Sequence, residues 1–297
     1  MSIPWADQSV DLSSSPLGTV ITSLIIYQER FSALAPISTH MLINEAAKVL
    51  TDKLSLDIVE VISVGKYVIF KARLGDNVYT AKIAKSCIEG DYHECKKLST
   101  LIAREYENAQ RISSPYVVKA IDIAFLDNTA VLLREYVEDT LSSVLANVGK
   151  LDIEQTIEIS TKIAHALIDI HRADFVYTDL KPENIGIDPG KNVKLLDLDS
   201  LTKPFTRPSL ISYDYAPPEY LSNGIVVKES DVYQLGLVIY RMITGSHANP
   251  ALGKEMNLNN VPSPLRNLVR EMTNPIPFAR PSLITIINTL DSAYFSM

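Results

Sequence analysis

Asp179, Lys181 and Asn184 stand together in the run Asp179-Leu180-Lys181-Pro182-Glu183-Asn184, and Asp197 follows Asn184 by thirteen residues. A carboxylate that accepts a proton, an ammonium that neutralises phosphate and a carbonyl oxygen that holds a metal are the parts phosphoryl transfer requires. Asp197 ends the apolar run Val193-Lys194-Leu195-Leu196, which reads as a short buried strand, so a second oxygen ligand would project from a strand end toward the same metal. A plainer reading makes Asp179 and Asn184 turn formers around Pro182. The lysine between them and the acid at 197 speak against it.

The elements that must position these groups follow from pattern. Leu54 to Lys85 alternates Val, Ile and Tyr with breaks at Gly65 and Gly75-Asp76-Asn77, which predicts three antiparallel strands. A helix is expected from about His93 to Ile112, then strands over Tyr116–Ala124 and Thr129–Val137 around an Asp127-Asn128 turn. Beyond Val137 the chain turns helical. Asp152 with Gln155 three residues on resembles a capping box, and Ile153, Ile157, Ile163, Leu167 and Ile170 recur at helical spacing as far as His171. A second helix, from Ser230-Asp231 to Gly245, is apolar nearly all round and belongs inside a lobe. Leu265–Met272 and Ser282–Leu290 supply further helices, and Thr39–Leu50 one near the start.

Composition narrows the partners. The 297 residues are 46% hydrophobic and 21% charged, enough for a substantial core in one large domain or two lobes. A net charge of -7 without a long Lys/Arg run gives no footprint for nucleic acid or an anionic membrane. The stretch Leu17–Tyr27 is interrupted by Thr and Ser and lacks a basic lead-in, so no signal peptide or membrane anchor is expected. Cys87 and Cys95 lie in a chain too long to need a disulfide framework, and their spacing matches no zinc pattern without further ligands, so a reducing, cytoplasmic or otherwise intracellular setting is expected.

The Asp179–Asn184 run and Asp197 resemble the catalytic and magnesium loops of eukaryotic-type serine/threonine protein kinases, and other motifs follow in the same order over roughly residues 56 to 292. The resemblance implies an α+β, bilobal fold: a small antiparallel β-rich lobe with one helix over 54–137, a mostly helical lobe over 138–297, and an extension at 1–53. Lys82, in Tyr79-Thr80-Ala81-Lys82-Ile83, would hold the α- and β-phosphates of ATP, with Glu105 as its ion-pair partner. Read alone, Lys82 and Glu105 are two surface charges. By the same resemblance Val61, Ile69, Thr80, Glu135 and Val137 surround the nucleotide. Asp179 would take the proton of the attacking hydroxyl, Lys181 would neutralise the γ-phosphoryl group, and Asn184 and Asp197 would hold Mg²⁺, with Mn²⁺ as an alternative. Lysine at 181 is the form that implies alcohol acceptors. Ser212 falls where a hydroxyl touches the catalytic aspartate, Glu219 would pair with Arg280, and Asp231 would tie its helix to the catalytic loop, shaping a shelf for a protein substrate.

Several positions depart from the family pattern. The glycine loop is reduced to Ile62-Ser63-Val64-Gly65-Lys66-Tyr67-Val68-Ile69, which offers phosphate fewer Cβ-free amides. Thr80 replaces a small roof residue and Gly186 a larger floor residue, implying a wider, more polar pocket. Tyr177-Thr178 replaces His-Arg, removing the cation that reads a phosphorylated activation loop. Asp199 replaces a hinge glycine and either adds a metal ligand or caps a turn. Arg134, before the hinge Glu135-Tyr136-Val137, either pairs with Glu105 or faces solvent. These departures keep two alternatives beside an active kinase: a pseudokinase scaffold or allosteric module, and a small-molecule kinase. Residues 1–53 could dock on a lobe, bind a regulatory partner or stay disordered, with Ser13 to Ser15 as phosphate acceptors.

Overall fold

The structure, a computed structural model, describes residues 39–188, 190, 192–208, 211–222 and 224–295. It divides into two compact units, one comprising the described residues up to Glu107 with Lys119–Tyr136, the other Asn108–Val118 with the described residues from Val137 onward. Residues 1–38, including Ser13 to Ser15, lie outside the described residues.

The first unit is a five-stranded antiparallel sheet, β1 (Asp57–Val64), β2 (Tyr67–Leu74), β3 (Asn77–Ala84), β4 (Ala120–Leu126) and β5 (Thr129–Glu135), in the order β1-β2-β3-β5-β4. The turns sit where the sequence puts them: Leu74 pairs with Asn77 across Gly75-Asp76, and Leu126 with Thr129 across Asp127-Asn128. Helix α1 (Thr39–Leu54) lays Ile43, Leu50 and Leu54 into one core with Leu56, Val68, Phe70 and Leu133. That burial stabilises by roughly 1.5–3 kcal/mol per large apolar side chain. The helix runs four residues beyond the expected Leu50 because Leu54 completes its apolar stripe. Helix α2 (Lys85–Glu89) follows β3 directly, and α3 (Tyr92–Ala109) packs Leu98 and Ile102 against Ala84, Ile123 and Leu132.

Two expectations need correction here. The strand expected from Tyr116 begins only at Ala120, because Val117 pairs with Leu195 of the second unit's own sheet. Cys87 and Cys95, expected to need no disulfide in a reducing setting, are joined in one. Framework arithmetic missed it because the pairing is local: Gly90, at φ 79°, ends α2 and reverses the chain, bringing the two Cα atoms to 4.5 Å.

The second unit is helical around a small sheet of β6 (Asp139–Thr140), β7 (Ile185–Ile187) and β8 (Val193–Leu195). Helix α4 (Leu141–Val148) and α5 (Ile153–Arg172) both start at capping boxes, Thr140 with Ser143 and Asp152 with Gln155. The short α6 (Pro218–Ser222) precedes α7 (Lys228–Thr244), whose buried Leu235, Leu237, Val238 and Ile239 make it the core helix its sequence implies. Helices α8 (Ser263–Met272) and α9 (Leu283–Tyr294) complete the unit. Among the described residues no helix is long and apolar enough to cross a membrane.

Candidate active site

In the first unit Lys82 lies in the half of β3 that is buried on both faces, and only 1% of its side chain is exposed. Leu98, Ile102 and Glu105 lie on the buried face of α3, so the apolar contacts that dock the helix also present Glu105. Lys82 Nζ donates to Glu105 Oε2 at 2.7 Å, and the Tyr67 ring lies 4.1 Å from the same ammonium. A buried pair of this kind adds little net stability, since desolvation offsets most of the attraction. Its value lies in fixing where a positive charge sits.

Arg134 occupies the first of its two expected positions. The register Thr80↔Arg134 sets the two side by side on β3 and β5; Arg134 Nε donates to Thr80 Oγ1 at 3.2 Å, and its Nη1 lies 3.6 Å from Glu105 Oε1. Glu105 is thereby shared between two cations. Of the other residues expected around the nucleotide, Ile69 pairs across to Lys82, Val61 is 40% exposed on β1, and Glu135 accepts from the backbone N–H of Lys119 at 3.2 Å. Gly65 closes β1 and β2 in a tight turn, its N–H donating to the Tyr67 carbonyl at 2.9 Å.

The second unit gathers the loop residues. Asp179 is buried, and its Oδ2 accepts from Lys181 Nζ at 2.7 Å and from Asn184 Nδ2 at 2.9 Å. Oδ1 of the same carboxylate is buried without a hydrogen-bond partner among the described residues. Lys181 Nζ also donates to Ser212 Oγ at 2.7 Å, so Ser212 reaches the aspartate through the lysine. The backbone N–H of Leu196 donates to the Asn184 carbonyl at 2.9 Å, which fastens the residue before Asp197 to Asn184. Gly186 does not widen this region as expected. A Cβ there would lie 2.8 Å from both Leu196 Cδ2 and Val137 Cγ1, so those side chains already fill the space a larger floor residue would take.

Behind the loop, α7 supplies a buried polar support. Asp231, fully buried, accepts the backbone N–H of Tyr177 at 2.8 Å through Oδ2 and that of Thr178 at 2.9 Å through Oδ1, while His171 Nε2 lies 2.8 Å from Oδ2. One helical turn on, Gln234 accepts from Leu180 N–H at 3.1 Å and donates to the Thr178 carbonyl at 2.9 Å. Thr178 Oγ1 donates to the Ser200 carbonyl and Ser200 Oγ to the Tyr177 carbonyl, both at 2.8 Å. These bonds hold Thr178 at φ 69°, a left-handed backbone that a β-branched residue adopts at a cost of about 1–3 kcal/mol. Tyr177, fully buried, has its phenol pushed well above the usual range by burial, with Asp197 and Asp179 adding to the effect, so it stays neutral. Glu219 and Arg280 meet through two bonds of 2.7 Å, with Ser230 donating to Glu219 at 2.7 Å and the Tyr233 ring 4.9 Å from the guanidinium.

Sequence reasoning missed Gln234, Ser200 and Tyr67. Gln234 carried a readable signal: a polar residue one turn after Asp231 in a helix otherwise apolar at that face has to satisfy its amide somewhere. Ser200 and Tyr67 carried none.

The arrangement can hold a carboxylate beside a cation and oxygen donors, the chemistry of phosphoryl transfer. Residues 64–290 match the family model described as protein kinase domain. The chain belongs to the protein kinase domain family. Its relatives include the serine/threonine-protein kinase PrkC of Bacillus subtilis, 28% identical over 73% of this chain and 38% of the relative. A probable serine/threonine-protein kinase of Clostridium perfringens is 26% identical over 67% of this chain and 32% of its own length. A probable serine/threonine-protein kinase, KIN1 homolog, of Enterocytozoon bieneusi is 29% identical over 65% of this chain and 35% of its own. The chain thus spans about a third of the length of these relatives. Membership in the protein kinase family implies ATP and a divalent cation in general terms.

Proposed function

We propose that this kinase domain transfers the γ-phosphoryl group of ATP to serine and threonine hydroxyls of a protein substrate. The observation that carries the reading is the asymmetry of Asp179: Oδ2 is saturated by Lys181 and Asn184, while the buried Oδ1 has no partner among the described residues. Leaving a buried acceptor unsatisfied costs about 1–3 kcal/mol, a cost that makes sense where a hydroxyl must bring its proton. Lys181, already bonded to the aspartate, would shift part of its charge to the transferring phosphoryl oxygens. Asn184 gives its side-chain N–H groups to Asp179, which leaves its side-chain Oδ1 for a cation; with Asp197 following Leu196, whose N–H bonds the Asn184 backbone, these two hard oxygen donors suit Mg²⁺, and Mn²⁺ as a substitute. The cation, when bound, screens charge on the nucleotide phosphates. Lys82, fixed by Glu105, would hold the α- and β-phosphates, and Val61, Ile69, Thr80, Glu135 and Val137 would line the nucleotide.

Lysine at position 181 and the printed names of the relatives support alcohol acceptors. The braces at Ser212, Glu219–Arg280 and Asp231 support a polypeptide substrate over a small molecule, and the full complement of chemical groups favours catalysis over a scaffold role. We read 54–137 and 138–297 as the two lobes, with 1–53 appended. Because α1 spends its apolar face inside the first unit, a regulatory partner for the extension would fall to residues 1–38.

The test is transfer of labelled phosphate to generic proteins with Mg²⁺ or Mn²⁺, followed by phosphoamino-acid analysis. Phosphoserine and phosphothreonine are expected, with kcat lower by about 10²–10⁴ in Asp179→Ala. Equal incorporation by wild type and Asp179→Ala would sink the assignment.

A further inference from the structure

We propose that Cys87 and Cys95 form a reversible thiol–disulfide modification site that sets the position of α3, and through it the Lys82–Glu105 pair. The inference rests on the reading of that pair as the phosphate-holding unit. Cys87 lies five residues after Lys82, in the short α2 that continues directly from β3. Cys95 lies in the first turns of α3, ten residues before Glu105. Cys95, Ile102 and Glu105 recur at spacings of seven and three, which places them on one helix face, with the cross-link and the ion pair about 15 Å apart along it. The bond therefore pins one end of that face to the segment leaving β3, while Glu105 meets Lys82 at the other.

The surroundings suit both oxidation states. Cys87 Sγ lies 3.5 Å from Ser99 Oγ, which itself accepts the Ala130 N–H at 3.1 Å. Cys95 Sγ lies 3.7 Å from the Asn128 carbonyl and 3.7 Å from Thr129 Oγ1. A disulfide has no hydrogen to donate, so the Asn128 carbonyl gains nothing from the bonded form, while the Ser99 and Thr129 hydroxyls can donate weakly to sulfur in either state. These oxygens offer a freed Cys95 S–H an acceptor and Cys87 a hydroxyl partner, so reduction does not strand buried thiols without partners. Cys87 is partly exposed and Cys95 buried, which makes Cys87 the sulfur a reagent meets first.

The step balances as ordinary exchange. A Cys87 thiolate attacks a low-molecular-weight disulfide and expels one thiolate. Cys95, losing its proton, then attacks the Cys87 sulfur of the mixed disulfide and releases the second. Two electrons pass to the small disulfide and two protons are lost; a dithiol reverses both steps.

The whole chain would be prepared with oxidised glutathione and with dithiothreitol, its thiols counted by maleimide mass shift. Amide hydrogen exchange along α3, ATP affinity by calorimetry and phosphate transfer would then be compared. Oxidation is expected to slow exchange around Glu105 and tighten ATP binding by about fivefold or more, the low end of coupling between linked sites. Cys87→Ser/Cys95→Ser should match the reduced protein under both conditions. Unchanged α3 exchange and ATP affinity between the two wild-type states would overturn the proposal, as would failure of the cross-link to form under oxidised glutathione; neither comparison needs a variant to fold. Absent phosphate transfer in both states would count against the proposed activity and leave the exchange result to decide this one.

Discussion

Replacing Asp231 isolates the support of the Asp179–Asn184 loop from the chemistry proposed for it. Its carboxylate touches neither Asp179 nor Lys181 in any bond described above, yet it accepts the N–H groups of Tyr177 and Thr178, the two residues before Asp179. Asp231→Ala leaves both buried amides without that acceptor, at about 1–3 kcal/mol each, and removes the carboxylate beside His171. It also removes one of the bonds that hold Thr178 in its left-handed backbone, so part of the strain is released by movement of the loop. A net loss of about 3–5 kcal/mol is expected, within the 5–15 kcal/mol of a typical domain, so the variant should fold. Because Asp179 follows Thr178 directly, an ångström of displacement should lower kcat by about 10²-fold. ATP affinity should hold, since Lys82 and Glu105 draw on other elements. Asp231→Asn is the sharper probe: either amide orientation replaces one acceptor oxygen by a donor, so one of the two N–H groups still loses its partner. Urea unfolding gives the stability and steady-state kinetics give kcat and KM separately. A folded Asp231→Ala protein with kcat within about twofold of wild type would refute the claim that Asp231 holds the loop in its productive shape.

Glu105→Gln removes the carboxylate that Lys82 and Arg134 share, and its stability penalty should shrink by about 1 kcal/mol or more in an Arg134→Met background; additive penalties in denaturant titrations would show that Arg134 does not share it. Arg280→Ala should cost about 3–5 kcal/mol in the same assay, because Glu219 would stay buried with Ser230 as its remaining described donor. Burial raises the Tyr233 phenol to about 12, against about 10 in an unfolded chain. The folded state thus keeps its proton longer, so this contribution is intact below about pH 10 and is lost as pH climbs toward about 12; Tyr233→Phe should flatten that alkaline decline in melting temperature. His247 has its pKa lowered, first by burial and then by Arg241, so the unfolded chain binds the proton more readily. Stability should therefore fall as pH drops through about 6.5, and His247→Gln should weaken that dependence.

The order of parts was legible along the chain because its signals are local. Strand alternation, the turns at Gly75-Asp76 and Asp127-Asn128, and the Asp152 capping box each depend on neighbours a few residues away, and each stands where sequence put it. The spacing from Asp179 to Asn184 likewise fixed which chemical groups share a loop. Pairings across long sequence gaps were decided by packing. Arg134 was free to face Glu105 or solvent until the Thr80↔Arg134 register chose, and Gly186 promised a gap that Val137 and Leu196 fill from the side. Gln234 and Ser200 became braces of the Tyr177–Leu180 backbone only once α7 and the segment after Asp197 were buried against it, since a buried amide or hydroxyl must find partners wherever the fold leaves unpaired backbone. Sequence specified which candidate groups share a loop; tertiary structure specified which donor answers which acceptor, because hydrogen bonds are satisfied by position in space and residue order constrains that only over a turn or two.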